Sequence, residues 1–531
     1  GMASVIFRFW SIRRRTSDAD APAHQAQANM PPHTVAVVLS RREIVSILSG
    51  LVLAMFLASL DQTIVATSLS TMAQDLNGWS LMSWVVSAYL VASTVTTPIY
   101  GRLSDLYGRR PILLVSIAIF VAASVFSALS QTMLQLILAR TLQGVGGGGL
   151  QSVSLAAVAD VITPRERGRY QGYLSSVMAA ANLLGPVLGG FFSDYLSWHW
   201  IFWINIPFGA LALVLCNRNL RRLPRPRRKP VIDWLGGALI VASATPILIG
   251  VSRVEAAGGW AQLNILAPIA IGLVFAAALI VREREAREPL IPLRLFSNRV
   301  FAVGTAISFT CSMVMIALII LVPLDFELVG GSSANGAGFR LIPMTGGTVL
   351  GSFVAGQLVT RTGHYRIFPI TGALATTAIC AAIAVFGLSK DVLLGTALTA
   401  GLGLAFGLQL PPVAVAVQNA LELDDNGIGL SVMMFFRLIG GAFGVALLTA
   451  ILVSDLSAAA ATVPGHGALG GNPGIALLHL DQASSVDPAL MHSLAQVLRT
   501  AFSHVFWYAA AISALTAIGS FALKEISLRG S

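Results

Sequence analysis

Two charged side chains stand inside stretches long and apolar enough to cross a bilayer. Asp61 lies in "FLASLDQTIVATSL" (56–69), where every other residue except Gln62 is apolar or small. Arg140 lies in "LILARTLQGVGGGG" (136–149). An aspartate at the centre of a membrane helix costs about 3 kcal/mol on insertion scales. Charges kept at such depth face protein or a water-filled cavity and mark function. The chemistry open to a lone carboxylate there is proton exchange or attraction of a cation. A protonated acid is easier to bury, and an ionised one draws positive charge. A structural hydrogen bond, for instance to Thr63 or to another helix, is the alternative for Asp61. Pairing with backbone carbonyls is the alternative for Arg140. Two further acids, Asp325 and Glu327, end another apolar run in "LVPLDFELVGG". They read as second proton or cation sites, or as groups solvated at a mouth.

Residues so placed need a membrane around them, and the composition supplies one. The chain has 531 residues, 55% hydrophobic and 11% charged, with mean hydropathy +0.77. Soluble domains carry about 25% charged residues. This chain is expected to be an all-α integral membrane protein with the bilayer as its solvent. The three cysteines, Cys216, Cys311 and Cys380, all fall in apolar runs without metal-ligand spacing, so neither a disulfide nor a metal site is expected. No Walker motif, zinc pair or nucleophile elbow is found. That points away from an enzyme, from any cofactor, and from ATP as the energy source.

Apolar runs recur fourteen times, at about 44–71, 81–101, 111–130, 134–161, 170–192, 199–217, 232–252, 262–281, 299–324, 337–360, 366–388, 391–416, 427–454 and 501–523. Residues 1–43 read as a disordered cytoplasmic tail, 456–500 as a long external loop, and 524–531 as a second cytoplasmic tail. Within that loop, 484–502 has the pattern of a helix leaning over the outer mouth. With an even count both termini share one side. The tails and loops assigned to that side hold 28 of the 34 lysines and arginines. The positive-inside rule then places both termini in the cytoplasm of a multi-pass protein of the cell membrane. The basic charge is topological and does not imply nucleic acid. Nothing in the charge requires an oligomer, and a monomer is expected. With Ile44 near the cytoplasmic face, Asp61 lies about 25 Å along its helix at 1.5 Å per residue. That is mid-membrane to outer half, within reach of a central cavity.

The chain also repeats itself. "GRLSDLYGRR" (101–110) matches "GQLVTRTGHYR" (356–366) at an offset of 255, and "GLQSVSLAAVAD" (149–160) matches "GLQLPPVAVAVQ" (407–418) at 258. Spans 1–6 (44–217) and 9–14 (299–523) read as parallel copies. Residues 218–298 are then a Pro/Arg-rich linker and an inserted two-helix hairpin. Two six-helix bundles with a site between them near the midplane are a transporter architecture.

Several motifs carry a resemblance to a known family. "GRLSDLYGRRPIL" is similar to the loop signature of the major facilitator superfamily, with Gly101 and Gly108 for the turn and Asp105 and Arg109 as its charges. "LILARTLQG" resembles the fourth-span motif. "GYLSSVMAAANLLGPVLGG" (172–190) resembles the fifth-span antiporter motif in Gly172, Gly185, Pro186, Gly189 and Gly190, with Ala181 in place of one glycine. "WHWIFWINIPFG" (198–209), "LDQTIVATSL" and "FFRLIGGAFGVAL" (435–447) resemble signatures of the fourteen-helix drug:proton antiporters, with His199 in the usual arginine place.

The resemblance implies a proton-driven exporter of amphipathic, often cationic small molecules that rocks two halves around a central site. In such a protein Gly101, Asp105, Gly108 and Arg109 form a cytoplasmic latch. Asp61 and Arg140 couple protons, with Asp325 and Glu327 as further candidates. Trp84, Tyr89, Gln151, Met178, Asn182, Gln409, Met433, Phe435, Phe436 and Arg437 are candidates for the cavity wall. Asp160 and Asp425 read as caps or solvated turns. An exporter of one metabolite, or a sensor on the same fold, would share these motifs.

Overall fold

A computed structural model describes residues 41–66, 68–78, 81–162, 164–222, 233–253, 262–286, 289–330, 339–388, 392–422, 425–460 and 488–527. The expected tail before residue 41, most of the 218–230 linker and the 461–487 part of the expected loop lie outside the described residues.

Within these limits, fourteen helices of 15 residues or more follow one another. They are α1 (Arg41–Ala66), α2 (Met82–Tyr107), α3 (Arg109–Ala128), α4 (Met133–Val161), α5 (Pro164–Tyr195), α6 (Asn205–Asn219), α7 (Trp234–Ser252) and α8 (Leu263–Glu285). The series continues with α9 (Arg299–Leu328), α10 (Ile342–Thr362), α11 (Ile367–Phe386), α12 (Val392–Ala420), α13 (Asn426–Ala460) and α14 (Pro488–Phe521). Each falls on one of the fourteen apolar runs. Eleven helices are long and apolar enough to cross a membrane, and α2, α4 and α5 fall outside that set. α4 spends much of its length on glycine, serine and glutamine.

Local chemistry sets the ends. Thr132 caps α4 by accepting from Gln135 N at 3.3 Å. Asn298 caps α9 through Val300 N and Phe301 N, at 3.0 and 3.3 Å. Asp233 caps α7 through Gly236 N at 3.0 Å. Gly363 and Gly387 leave α10 and α11 at φ +75°, the left-handed region that lacks strain only for glycine. Two boundaries differ from expectation. The first span breaks after Ala66, and a separate helix covers Leu69–Asp75. The helix expected within 484–502 begins at Pro488 and runs on without interruption into the last span, so it extends α14. α13 reaches Ala460, so helices take in both ends of the expected 456–500 loop, whose residues 461–487 lie outside the described ones.

Packing repeats with a shift of eight helices. The pairs α1–α5, α1–α6, α2–α4, α3–α4 and α3–α6 have counterparts in α9–α13, α9–α14, α10–α12, α11–α12 and α11–α14. The two six-helix bundles meet along two related seams, α2 against α13 and α5 against α10. α7 packs on α8 and also on α2 and α13, so the hairpin flanks the first seam. Arg253 at the end of α7 lies 5.8 Å from the ring centre of Trp84 on α2. At the other end of the hairpin, Arg282 donates to both carboxylate oxygens of Asp233.

Candidate functional site

Asp61 is fully enclosed, and its polar neighbours come from three other helices of the first bundle. Arg140 on α4 donates from Nη1 to Asp61 Oδ2 at 2.5 Å. Gln143, one turn further on α4, donates from Nε2 to Asp61 Oδ1 at 2.8 Å. Asn205, at the start of α6, donates from Nδ2 to the same oxygen at 2.8 Å. Ser124 on α3 accepts from both amides, at 2.8 and 3.2 Å. Gln143 Oε1 in turn accepts from Arg140 at 2.8 Å. The Tyr89 ring lies 4.3 Å from the guanidinium carbon and the Phe202 ring 5.9 Å. Asp61, Gln143, Ser124 and Asn205 have no solvent exposure, and Arg140 has 1%. A buried pair of this kind holds only when further hydrogen bonds satisfy the remaining lone pairs and protons, and the amides and hydroxyl do much of that here.

This geometry corrects one expectation. Asp61 does not reach a central cavity; it is sealed inside the first bundle. Its partner is Arg140, not Thr63, whose hydroxyl donates to Leu60 O at 3.1 Å. The network has no twin in the second bundle. At the repeat offsets the counterparts of Asp61 and Arg140 are Ile316 and Leu398, and both border an apolar cluster.

The loop motif forms a second polar centre. Gly108 sits at φ +93° between α2 and α3, a conformation L side chains rarely adopt. Arg109 follows it, pairs with Asp105, donates to Ser104 Oγ at 2.6 Å and reaches Asp160 Oδ2 on α4 at 2.7 Å. Asp160, expected to be a cap or a solvated turn, thus belongs to this centre. Burial pushes the Asp105 carboxyl up to about 6, against the pull of Arg109. The centre meets the second bundle directly. A Cβ on Gly427, in the first turn of α13, would overlap Asp105 Oδ1 and both terminal nitrogens of Arg109. A Cβ on Gly101 would overlap Ser431 of α13. On the other seam, Arg169 N donates to Thr360 Oγ1 at 3.0 Å, and Gly172 packs on Ser352 and Phe353 of α10. The bundles are therefore closed against each other on the face that carries residues 101–110.

The remaining candidates scatter. Gly185 packs on Thr63 and Ile64 of α1. Gly189 O accepts from Ser68 at 3.2 Å. Gly190 has open space beside it. The side chains of Asn182 and Pro186 lie outside the described residues. Tyr89 covers Arg140 and is a wall of the ion-pair site; Trp84 sits under Arg253. Gln409 donates to Thr376 Oγ1 and Ala405 O, at 3.2 and 3.1 Å, a contact within its own bundle. Phe435 and Phe436 stack edge to face on each other, and Phe436 stacks on Phe296. Met433 and Gln151 are buried and Met178 is half-buried. Asp325 is 4% exposed and lines a cavity of about 130 Å³ with Ile383, Arg499 and Phe502. Together with Glu327 it ends α9 in the second bundle, apart from Asp61. Asp425 is clamped by the two terminal nitrogens of Arg294, at 2.8 and 2.7 Å. Arg437 is half-buried in the middle of α13 with no hydrogen bond or ion pair to any described residue.

Three members of the Asp61 network were not singled out from the sequence. Gln143 and Asn205 stand inside the quoted "ARTLQG" and "WINIPFG" motifs, so the signal was present. Ser124 had none, because a serine in an apolar helix more often bonds its own backbone.

Comparison with known proteins bears on the whole assembly. The chain is 34% identical over 489 residues to the MFS-type transporter Rv1877 of Mycobacterium tuberculosis, covering 91% of this chain and 70% of that one. It is 34% identical over 409 residues to the multidrug transporter protein MdtP of Bacillus subtilis, covering 76% and 75%. The fold is similar to that of the proton:xylose symporter XylE, with a TM-score of 0.60 at 14% identity over 91% of this chain and 96% of that one. The sequence pattern of the Major Facilitator Superfamily runs through residues 51–445, from α1 through the Asp61 network and the loop motif to α13, and this multi-pass membrane protein belongs to that superfamily.

Proposed function

We propose that the chain is a multidrug-type exporter that moves amphipathic small molecules out of the cell in exchange for protons. Its basic face and both termini lie in the cytoplasm, in line with the distribution of lysine and arginine. The names of its relatives support the export of drugs. The observation that carries the proton coupling is the sealed Asp61–Arg140 pair.

The chemistry follows from that pair. A proton placed on Asp61 Oδ2 displaces the guanidinium that donates to it. Arg140 is then a buried cation with only Gln143 and the faces of Tyr89 and Phe202 beside it. Breaking a buried pair in this way costs about 3–5 kcal/mol. That is enough to move a two-state equilibrium by roughly a hundredfold or more. The pair links α1 to α4, and α4 also touches α13 across the seam. Protonation in one bundle can thereby bias how the two bundles close. Since Asp61 is sealed with the basic face shut, its proton must enter or leave in another arrangement, and that requirement is what couples proton movement to rocking.

The test is dye flux in liposomes under an imposed pH gradient, using ethidium and rhodamine B, for wild type and Asp61→Asn. The expected result is gradient-driven flux in the wild type and at least a tenfold loss in Asp61→Asn, with gradient-independent dye exchange retained. Full gradient-driven flux in the variant would sink the assignment and shift coupling to Asp325 and Glu327.

A further inference from the structure

The second bundle holds a pocket that proton-coupled export does not use. It lies between the ends of α9 and α11 and the beginning of the membrane-spanning part of α14. Asp325, Arg499 and Ser503 line it on the polar side, and Ile383, Phe502 and Phe506 are among its apolar walls. Its volume of about 130 Å³ is well below the roughly 300–1,000 Å³ of a drug-sized site.

The depth of the pocket follows from α9. That helix starts on the face that carries residues 101–110, because Asn298 donates to Ala420 O beside the start of α13, where Gly427 meets Asp105. Asp325 comes 26 residues after Arg299 (325 − 299), about 39 Å along the helix at 1.5 Å per residue. The hydrocarbon core is about 30 Å thick, so the pocket lies at headgroup depth on the opposite face. It also lies away from the seams. α11 and α14 pack within the second bundle, whereas the first bundle meets α10, α12 and α13. Val385 and Phe386, which line the pocket, are 61% and 58% exposed, and Trp507 and Tyr508, just after Phe506, are about half exposed. Exposed apolar residues on a membrane helix face lipid, and Trp and Tyr favour the interface.

Charge decides what such a pocket can hold. Asp325 is buried and supplies a carboxylate. Arg499 is exposed, and its guanidinium makes no hydrogen bond or ion pair to any described residue. His504, next to Ser503, is already taken by Asp455 at 2.8 Å. One acid and one guanidinium on the same wall match a molecule that carries both an ammonium and a phosphate.

We propose that the pocket seats the headgroup of a phosphatidylethanolamine from the leaflet on that face, with the ammonium on Asp325, the phosphate on Arg499 and the acyl chains along Val385 and Phe386. A primary ammonium has three N–H donors to offer a buried carboxylate. The trimethylammonium of phosphatidylcholine has none, and phosphatidylglycerol has no cation. The seat bridges α9, α11 and α14 whatever the protein exports.

The test titrates the purified full chain in detergent with dioleoyl phosphatidylethanolamine, phosphatidylcholine or phosphatidylglycerol and counts bound lipid by native mass spectrometry. The wild type is expected to retain one phosphatidylethanolamine about tenfold more strongly than either other lipid, as charge-assisted hydrogen bonds imply. In Asp325→Asn its retention should fall to within twofold of phosphatidylcholine. Arg499→Gln should lower phosphatidylethanolamine retention at least fivefold, and this exposed position carries the test if the asparagine variant does not fold. Asp455→Asn, outside the pocket, should leave the preference intact. Equal retention of the three lipids by the wild type, or retention of phosphatidylethanolamine unchanged in either pocket variant, overturns the proposal. So does displacement of the lipid by an equal concentration of soluble phosphoethanolamine, since the acyl chains would then contribute nothing.

Discussion

Replacing Gly101 by alanine should open the face that the structure shows closed. The added Cβ would overlap the Ser431 side chain of α13. Ser431 has little room to yield, because its hydroxyl donates to Gly427 O at 2.9 Å and the residue is fully buried. Relief must come from moving α13 away from α2, which also lifts Gly427 off Asp105 and Arg109. Overpacking of this size costs about 1–3 kcal/mol, and it falls only on the closed arrangement. The ratio of closed to open molecules should drop by about 5- to 150-fold. Paired spin labels would read this directly, one at Tyr107→Cys on the first bundle and one at Thr362→Cys on the second. Both positions are exposed, and the native Cys216, Cys311 and Cys380 are buried and poorly labelled. Gly101→Ala should add a longer distance to the distribution. An unchanged distribution in folded Gly101→Ala protein would refute the claim that this contact holds the face shut.

Two other outcomes follow from the same geometry. Arg140→Leu leaves Asp61 buried without its counter-ion and should cost about 3–5 kcal/mol, read as a lower Tm in detergent, with part of the loss recovered in Asp61→Asn/Arg140→Leu. Asp105 is an acid raised to about 6 when the face is closed and returned towards 3.8 when it opens. The closed form then binds more protons between those values, so it gains stability as pH falls from 7 through 6. The fraction of molecules at the short spin-label distance should rise as pH falls over that range in wild type and not in Asp105→Asn.

Much of this was legible in the chain because lipid imposes simple rules. Fourteen apolar runs became fourteen helices, and Asp61 and Arg140 stood out because charge is costly among them. What the runs could not convey was rotation. The sequence places Asp61 at a depth but not on a face, and only packing shows that it turns into its own bundle, toward α3, α4 and α6. The same ambiguity hid the ring contacts of Phe435 and Phe436 with each other and of Phe436 with Phe296. Asp160 is exposed at its helix end as expected, but no sequence pattern announced that Arg109 reaches it from 51 residues away. The Pro-rich linker and residues 461–487 gave no periodic pattern from which to argue.

The inserted hairpin has a mechanical consequence. α7 rests on both moving bodies, so it cannot travel with both. On α2 it is tied by Arg253 over Trp84. On α13 it meets Ala442, Ala446 and Ala450, with Phe443 packed into the same apolar cluster. Any separation of α2 from α13 must therefore give up either the arginine–tryptophan contact or this apolar one. In the arrangement seen here the hairpin covers that seam from the side.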